Sequence, residues 1–250
     1  MKIKSLAYHI LLEMKAFLRE PAAVFFALVF PAILLIIFGG AFGRYEVEGV
    51  PYVNYLIPID ISLVMANLTL MGVSVDLASK RELGITKFYK ILPKSNLYFG
   101  FISSFAYTFT FVISVITITV AGYIMYPNIH FRGNVSEFLV ALAIGYACFL
   151  LISIALSKIN LTVKAIQFIS SALFFILMFT AGIIIEESEL PAYISKFIFL
   201  SPLRSVYRLL LDVWLGKSIL NDKNHLFTLL AYILVAAVFI NGKSLLRKNE

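Results

Sequence analysis

A chain of 250 residues with 61% hydrophobic and only 14% charged positions cannot clothe a water-soluble domain, where about a quarter of residues carry charge. Its mean hydropathy of +0.93 and its 23 phenylalanines point to lipid as the solvent. A net charge of +7 then records membrane topology rather than nucleic-acid binding, and the single cysteine excludes an internal disulfide framework and a cysteine metal site.

The first twenty residues have helical periodicity. Ile3, Leu6, Ala7, Ile10, Met14, Phe17 and Leu18 share one face, with Lys4, Glu13, Lys15 and Arg19 off it. Such a helix rests in the headgroup plane, apolar side down, and Pro21 turns the chain into the membrane. Six apolar stretches follow, at 22–43, 55–77, 97–125, 136–157, 163–185 and 226–246, each long enough to cross a hydrocarbon core of ~30 Å. The first is longer than the apolar core of a cleaved leader, about 7–15 residues, and is expected to be retained. Pro31 and Pro58 fall inside spans, where neighbouring helices can satisfy the freed backbone groups.

Orientation follows from the basic residues. With both termini in the cytoplasm, fourteen of the 21 lysines and arginines lie inside, while Glu46, Glu48, Glu186, Glu187 and Glu189 lie outside. The second span carries Asp60, Asn67 and Ser74 at intervals of seven, expected on one helix face. Polar groups at that depth turn toward the bundle interior, a subunit interface or a wet pathway.

The loop after this span, K-R-E-L-G-I-T-K-F-Y-K-I-L-P-K-S (80–95), holds five of the basic residues. Ile85, Phe88, Tyr89 and Leu92 form an apolar stripe opposite Lys87, Lys90 and Lys94, and Pro93 ends the pattern. A loop that only fixed topology would need its lysines but no stripe. This segment is therefore expected to be a short amphipathic helix lying across the cytoplasmic helix ends. The segment 186–216, which follows the fifth span, is too apolar for a free loop and is broken by Pro191 and Pro202. It is expected to form two short helices on or dipping into the outer leaflet, with Trp214 in an interfacial belt.

These pieces in this order resemble the permease subunits of ABC-2 type ABC transporters. The likeness rests on R-E-P (19–21), F-P-A-I-L-L-I-I-F-G (30–39), R-E-L-G-I-T-K-F-Y-K-I-L-P-K-S (81–95) and L-P-A-Y-I-S-K-F-I-F-L-S-P-L (190–203). It implies a fold that is all-α and polytopic: a single transmembrane domain over 1–250, with six spanning helices, a connecting helix at 1–21, a cytoplasmic coupling helix at 80–95 and re-entrant outer helices at 186–216. It also implies a second permease subunit, as homodimer or heterodimer, and a separate cytoplasmic ATPase that binds the ATP and Mg. Arg81, Glu82, Gly84, Ile85, Thr86, Lys87 and Phe88 would contact that ATPase. Thr86 stands one place later than the family pattern has it, and Asp60 stands where family members often carry proline-glycine.

No motor is expected in this chain. G-K-S at 216–218 resembles the end of a phosphate-binding loop, but Leu211 replaces the required glycine. No cofactor is expected in this chain. The function that follows is an exporter permease at the cell membrane for a hydrophobic drug-like or lipid-like molecule, or for a polysaccharide or other polymer. An ion-coupled transporter or channel would use Asp60 as its titrating group, yet no pair of broken helices marks inverted repeats. An intramembrane hydrolase would need a nucleophile beside a base, and no such pair is visible within the spans.

Overall fold

The computed structural model describes residues 11, 12, 15, 19, 21–25, 29–47, 49–85, 96–183 and 198–246. The N-terminal amphipathic segment falls mostly outside them, as do Thr86, Lys87, Phe88 and 184–197. A helical turn at Pro21–Val24 precedes helix α1 (Phe30–Phe42), and a two-stranded antiparallel hairpin, β1 (Glu46–Val47) and β2 (Val50–Pro51), follows. Then come α2 (Val53–Glu82), α3 (Asn96–Met125), α4 (Val135–Ser157), α5 (Val163–Thr180), α6 (Pro202–Trp214) and α7 (Lys223–Leu246). Among the described residues five helices, in α2, α3, α4, α5 and α7, are long and apolar enough to span a membrane, and α1 is a shorter apolar helix. The chain is a multi-pass, mainly helical membrane protein.

Helix α2 is the hub. Every residue from Val53 to Ala66 is buried, and α1, α3, α4, α5 and α6 all pack against it. The outer helices are built the other way round. Ile116 and Ile124 on α3, Phe168 and Phe175 on α5, and Phe227 and Leu234 on α7 point away from the bundle. In water such surfaces would drive aggregation, whereas in lipid they need no covering.

Capping residues set the helix starts. The side chain of Asn134 accepts from the Ser136 N–H before α4, Thr162 from the Ala165 N–H before α5, and Ser201 from the Arg204 N–H before α6, where Pro202 takes the first helical position. Helix α2 departs from regular geometry at Leu68–Val73, a π-helical stretch. Its wider turns shift the register between Asn67 and Ser74, so the expected single polar face does not run on past Asn67.

Helix α6 lies deeper in the bundle than a helix resting on the outer leaflet. At 13 residues it is about 20 Å long, too short to span, and it is buried along nearly its whole length between α2, α4 and α7. Trp214 is 2% exposed and stands against Phe131 and Phe138, with ring centroids 5.2 and 5.7 Å away. It is a core residue and not part of an interfacial belt. The short hairpin is likewise absent from a purely helical expectation. It closes where Gly49 supplies a φ of 75°.

Close approach of α1 to α3 depends on a glycine. Pro31, Leu35 and Gly39 form the buried stripe of α1, and the Tyr126 hydroxyl donates to the Leu35 carbonyl at 3.1 Å. A Cβ on Gly39 would fall 2.2 Å from that hydroxyl oxygen. Gly39→Val is expected to break the bond and cost about 1–3 kcal/mol. Thermal melting of the solubilised protein checks this, and Tyr126→Ala in the same chain should recover part of the loss.

Candidate functional site

The bundle has two ends. At one, the hairpin, the 126–134 loop and the C-terminus of α6 meet: Tyr55 donates to the Val47 carbonyl, Asn54 joins Asn128 and His130, and the Arg132 N–H donates to the Trp214 carbonyl. At the other, α2 ends beside the 158–162 loop that joins α4 to α5. Each end presents one candidate site.

The loop end is organised by two adjacent side chains on the last turn of α2. The Arg81 guanidinium donates to the carbonyls of Ser157, Ile159 and Leu161. Glu82 Oε2 accepts from the Val163 N–H, the first residue of α5, at 2.8 Å. Each charge meets the helix terminus that suits it. The Ser157 carbonyl at the end of α4 presents the negative end of a helix dipole to the cation, the Ile159 and Leu161 carbonyls of the loop add to it, and the free N–H groups opening α5 present the positive end to the carboxylate. Lys158 fastens the same loop to α7 by donating to the Ile240 carbonyl at 3.1 Å.

This geometry moves a boundary. Lys80, Arg81 and Glu82 were expected on the amphipathic coupling helix, but they complete α2. Leu83 is the C-cap and Gly84, with φ at 75°, is the left-handed residue that ends the helix, its N–H donating to the Arg81 carbonyl at 3.1 Å. Nothing lies within 4 Å of a Cβ built on Gly84, so the glycine answers to backbone conformation and not to crowding. The segment that starts at Gly84 and Ile85 is thus joined to the α4–α5 loop through one turn of helix.

The second site is a cavity of about 860 Å³ between α1, α2, the end of α5, and α6. That volume suits a drug-sized molecule. Phe30, Phe38, Tyr52, Tyr55 and Tyr207 supply much of its wall, and Arg208, Asp212 and Lys217 also line it. Lys217 pairs with Asp212 at 3.1 Å, and the Arg208 guanidinium lies 5.8 Å from the Tyr207 ring centre. Asp60 lines the same cavity, seven residues into α2 and so about 10 Å from its start. It is 2% exposed, and among the described residues its Oδ2 meets no hydrogen-bond donor. No ion pair joins it to Arg208 or Lys217.

The other two polar positions of α2 do different work. Ser74 is buried and sits 2.7 Å, oxygen to oxygen, from Ser170 on α5, a hydrogen bond between helices. Asn67 donates weakly to the Met71 sulfur at 3.4 Å within its own helix. The fold also assembles a trio that single spans do not reveal. Ser205 Oγ lies 3.3 Å from His225 Nδ1, and His225 Nε2 lies 3.5 Å from Asp222. Ser205 has no exposed surface, so no substrate can reach it, and the trio serves as a polar tie between α6 and the start of α7.

A family model described as ABC-2 type transporter matches residues 9–215, most of the chain. The chain belongs to the ABC-2 type transporter family. No curated relative matches it. An ABC-2 membrane domain is a transport permease subunit, and the family normally works with a separate ABC ATPase subunit. This ABC-2 permease has a clamped helix end beside the 158–162 loop, and an aromatic cavity with a buried acid in its wall.

Proposed function

We propose that this permease forms the membrane pathway of an ATP-driven exporter for a hydrophobic drug-like or lipid-like molecule. Both termini and the Arg81–Glu82 end face the cytoplasm, the hairpin and α6 face outward, and the chain resides in the plasma membrane. The observation that carries the substrate class is the cavity: about 860 Å³, aromatic-walled, and of a size for one small molecule rather than a polymer strand.

ATP and Mg bind the partner ATPase, against which the segment from Arg81 to Phe88 is seated. Two permease subunits, identical or related, complete the pathway, six spans each. The segments 1–21 and 186–216 act as connecting and outer re-entrant helices. A push on the ATPase-facing segment reaches α2 at Gly84 and passes through Arg81 and Glu82 into the α4–α5 loop. One rigid movement then displaces three helices that bound the interior, which is how a two-state opening is biased from its cytoplasmic end.

The test is uptake of a fluorescent apolar dye into inside-out vesicles carrying the permease and its ATPase. Accumulation with ATP and none with a non-hydrolysable analogue is expected. Accumulation driven by a proton gradient without ATP would contradict the proposal.

A further inference from the structure

We propose that the cavity between α1, α2, α5 and α6 recognises an organic cation, with the Asp60 carboxylate as its counter-charge and tyrosine rings as its walls. Asp60 is 2% exposed, its Oδ2 has no donor, and it lines an open cavity large enough for a guest. A carboxylate at this depth without a partner is costly, and evolution of a packed bundle offers simple remedies: a nearby hydroxyl, an arginine, or an asparagine. Among the described residues none of these is hydrogen-bonded to Asp60 Oδ2. A guest bringing positive charge supplies what the protein leaves out, and low surrounding polarity strengthens the attraction.

The other charges lining the cavity do not compete for this role. Lys217 and Asp212 answer each other at 3.1 Å. Arg208 is only partly buried, lies against the Tyr207 ring, and has a long stem that can carry its charge toward water. Asp60 has a single methylene and no such freedom. Tyr52, Tyr55 and Tyr207 offer ring faces to a cation whose charge is spread over apolar groups, which favours an amphiphilic ammonium or phosphonium over a metal ion. Metal ions demand several oxygen ligands, and the acids lining this cavity are Asp60 and the already paired Asp212.

This assignment rests on the reading of the cavity as the transported molecule's seat, and the two can fail separately. The probe is tetraphenylphosphonium, measured at equilibrium without nucleotide against the full chain with its co-purifying subunits in lipid nanodiscs, empty nanodiscs being subtracted. The anion of the same shape, tetraphenylborate, is the control. Expected is saturable binding of the cation and not the anion. Asp60→Asn should weaken it about tenfold or more, and Asp60→Glu should retain most of it. Because the substitution to asparagine keeps the side chain's shape and removes an unpartnered buried acid, its melting temperature should not fall. Equal binding of both ions, cation binding unchanged by Asp60→Asn, or no binding to the wild type would each overturn the assignment. Failure of ATP-driven dye uptake alongside Asp60-dependent cation binding would remove the exporter reading and leave the site standing.

Discussion

Arg81→Ala is expected to leave the protein inserted and folded while separating ATP hydrolysis from transport. The guanidinium satisfies the carbonyls of Ser157, Ile159 and Leu161 from the end of α2, and alanine leaves all three to water. A hydrogen bond from a charged donor contributes about 1.5–3 kcal/mol net, so opening of the 158–162 loop should become roughly 10–100 times more frequent. Amide hydrogen exchange at 159–163 reads that opening directly, and substrate-stimulated ATPase activity should drop with it. Glu82→Lys should act in the same direction, since it removes the acceptor of the Val163 N–H and places a cation at the positive end of α5. Normal exchange and normal stimulation in both variants would mean that the pair only decorates a helix end.

The largest loss of stability is expected from Trp214→Ala. The indole is 2% exposed and fits between Phe131, Phe138 and Tyr123, next to the contact where the Arg132 N–H donates to its carbonyl. Removing a buried tryptophan costs about 3–5 kcal/mol. Trp214→Phe should cost far less, because the indole N–H has no hydrogen-bond partner among the described residues and only volume is lost. Thermal melting in mild detergent gives the order, with alanine well below phenylalanine and phenylalanine slightly below wild type. A tryptophan floating at the lipid surface would instead make both substitutions nearly neutral. Gly133 reinforces the same contact, since a Cβ there would fall 1.8 Å from the Val213 carbonyl oxygen.

The spans were legible because lipid imposes a strict rule: about 20 apolar residues with internally satisfied backbone. The starts of α4 at Val135 and of α5 at Val163 fall within a residue of 136 and 163, where the apolar runs begin in the sequence. The end of α2 was not legible. K-R-E reads as surface charge, and only the fold reveals two neighbouring helix termini of opposite polarity waiting for those charges. The π-helical stretch at Leu68–Val73 leaves no mark in residue type, so the register of Ser74 could not be counted from Asp60.

Trp214 was misplaced for a related reason. Tryptophan with tyrosines near a predicted membrane surface signals a belt, yet a short helix can be drawn into a bundle when its partners offer small residues, as Gly145 does under Val206. The Ser205–His225–Asp222 contact joins different elements and has no spacing signature. Asp60 was visible as an oddity in an apolar span. That its Oδ2 has no donor, inside a cavity walled by residues from four helices, needed the third dimension.

The most direct measurement is gentle purification of this chain from its native membrane, followed by mass spectrometry of everything that remains bound. A soluble ABC ATPase in stoichiometric amount, crosslinking to the segment after Gly84, is the expected result. A pure preparation with no ATPase under progressively milder solubilisation, from a chain still able to transport, would contradict an ATP-driven permease.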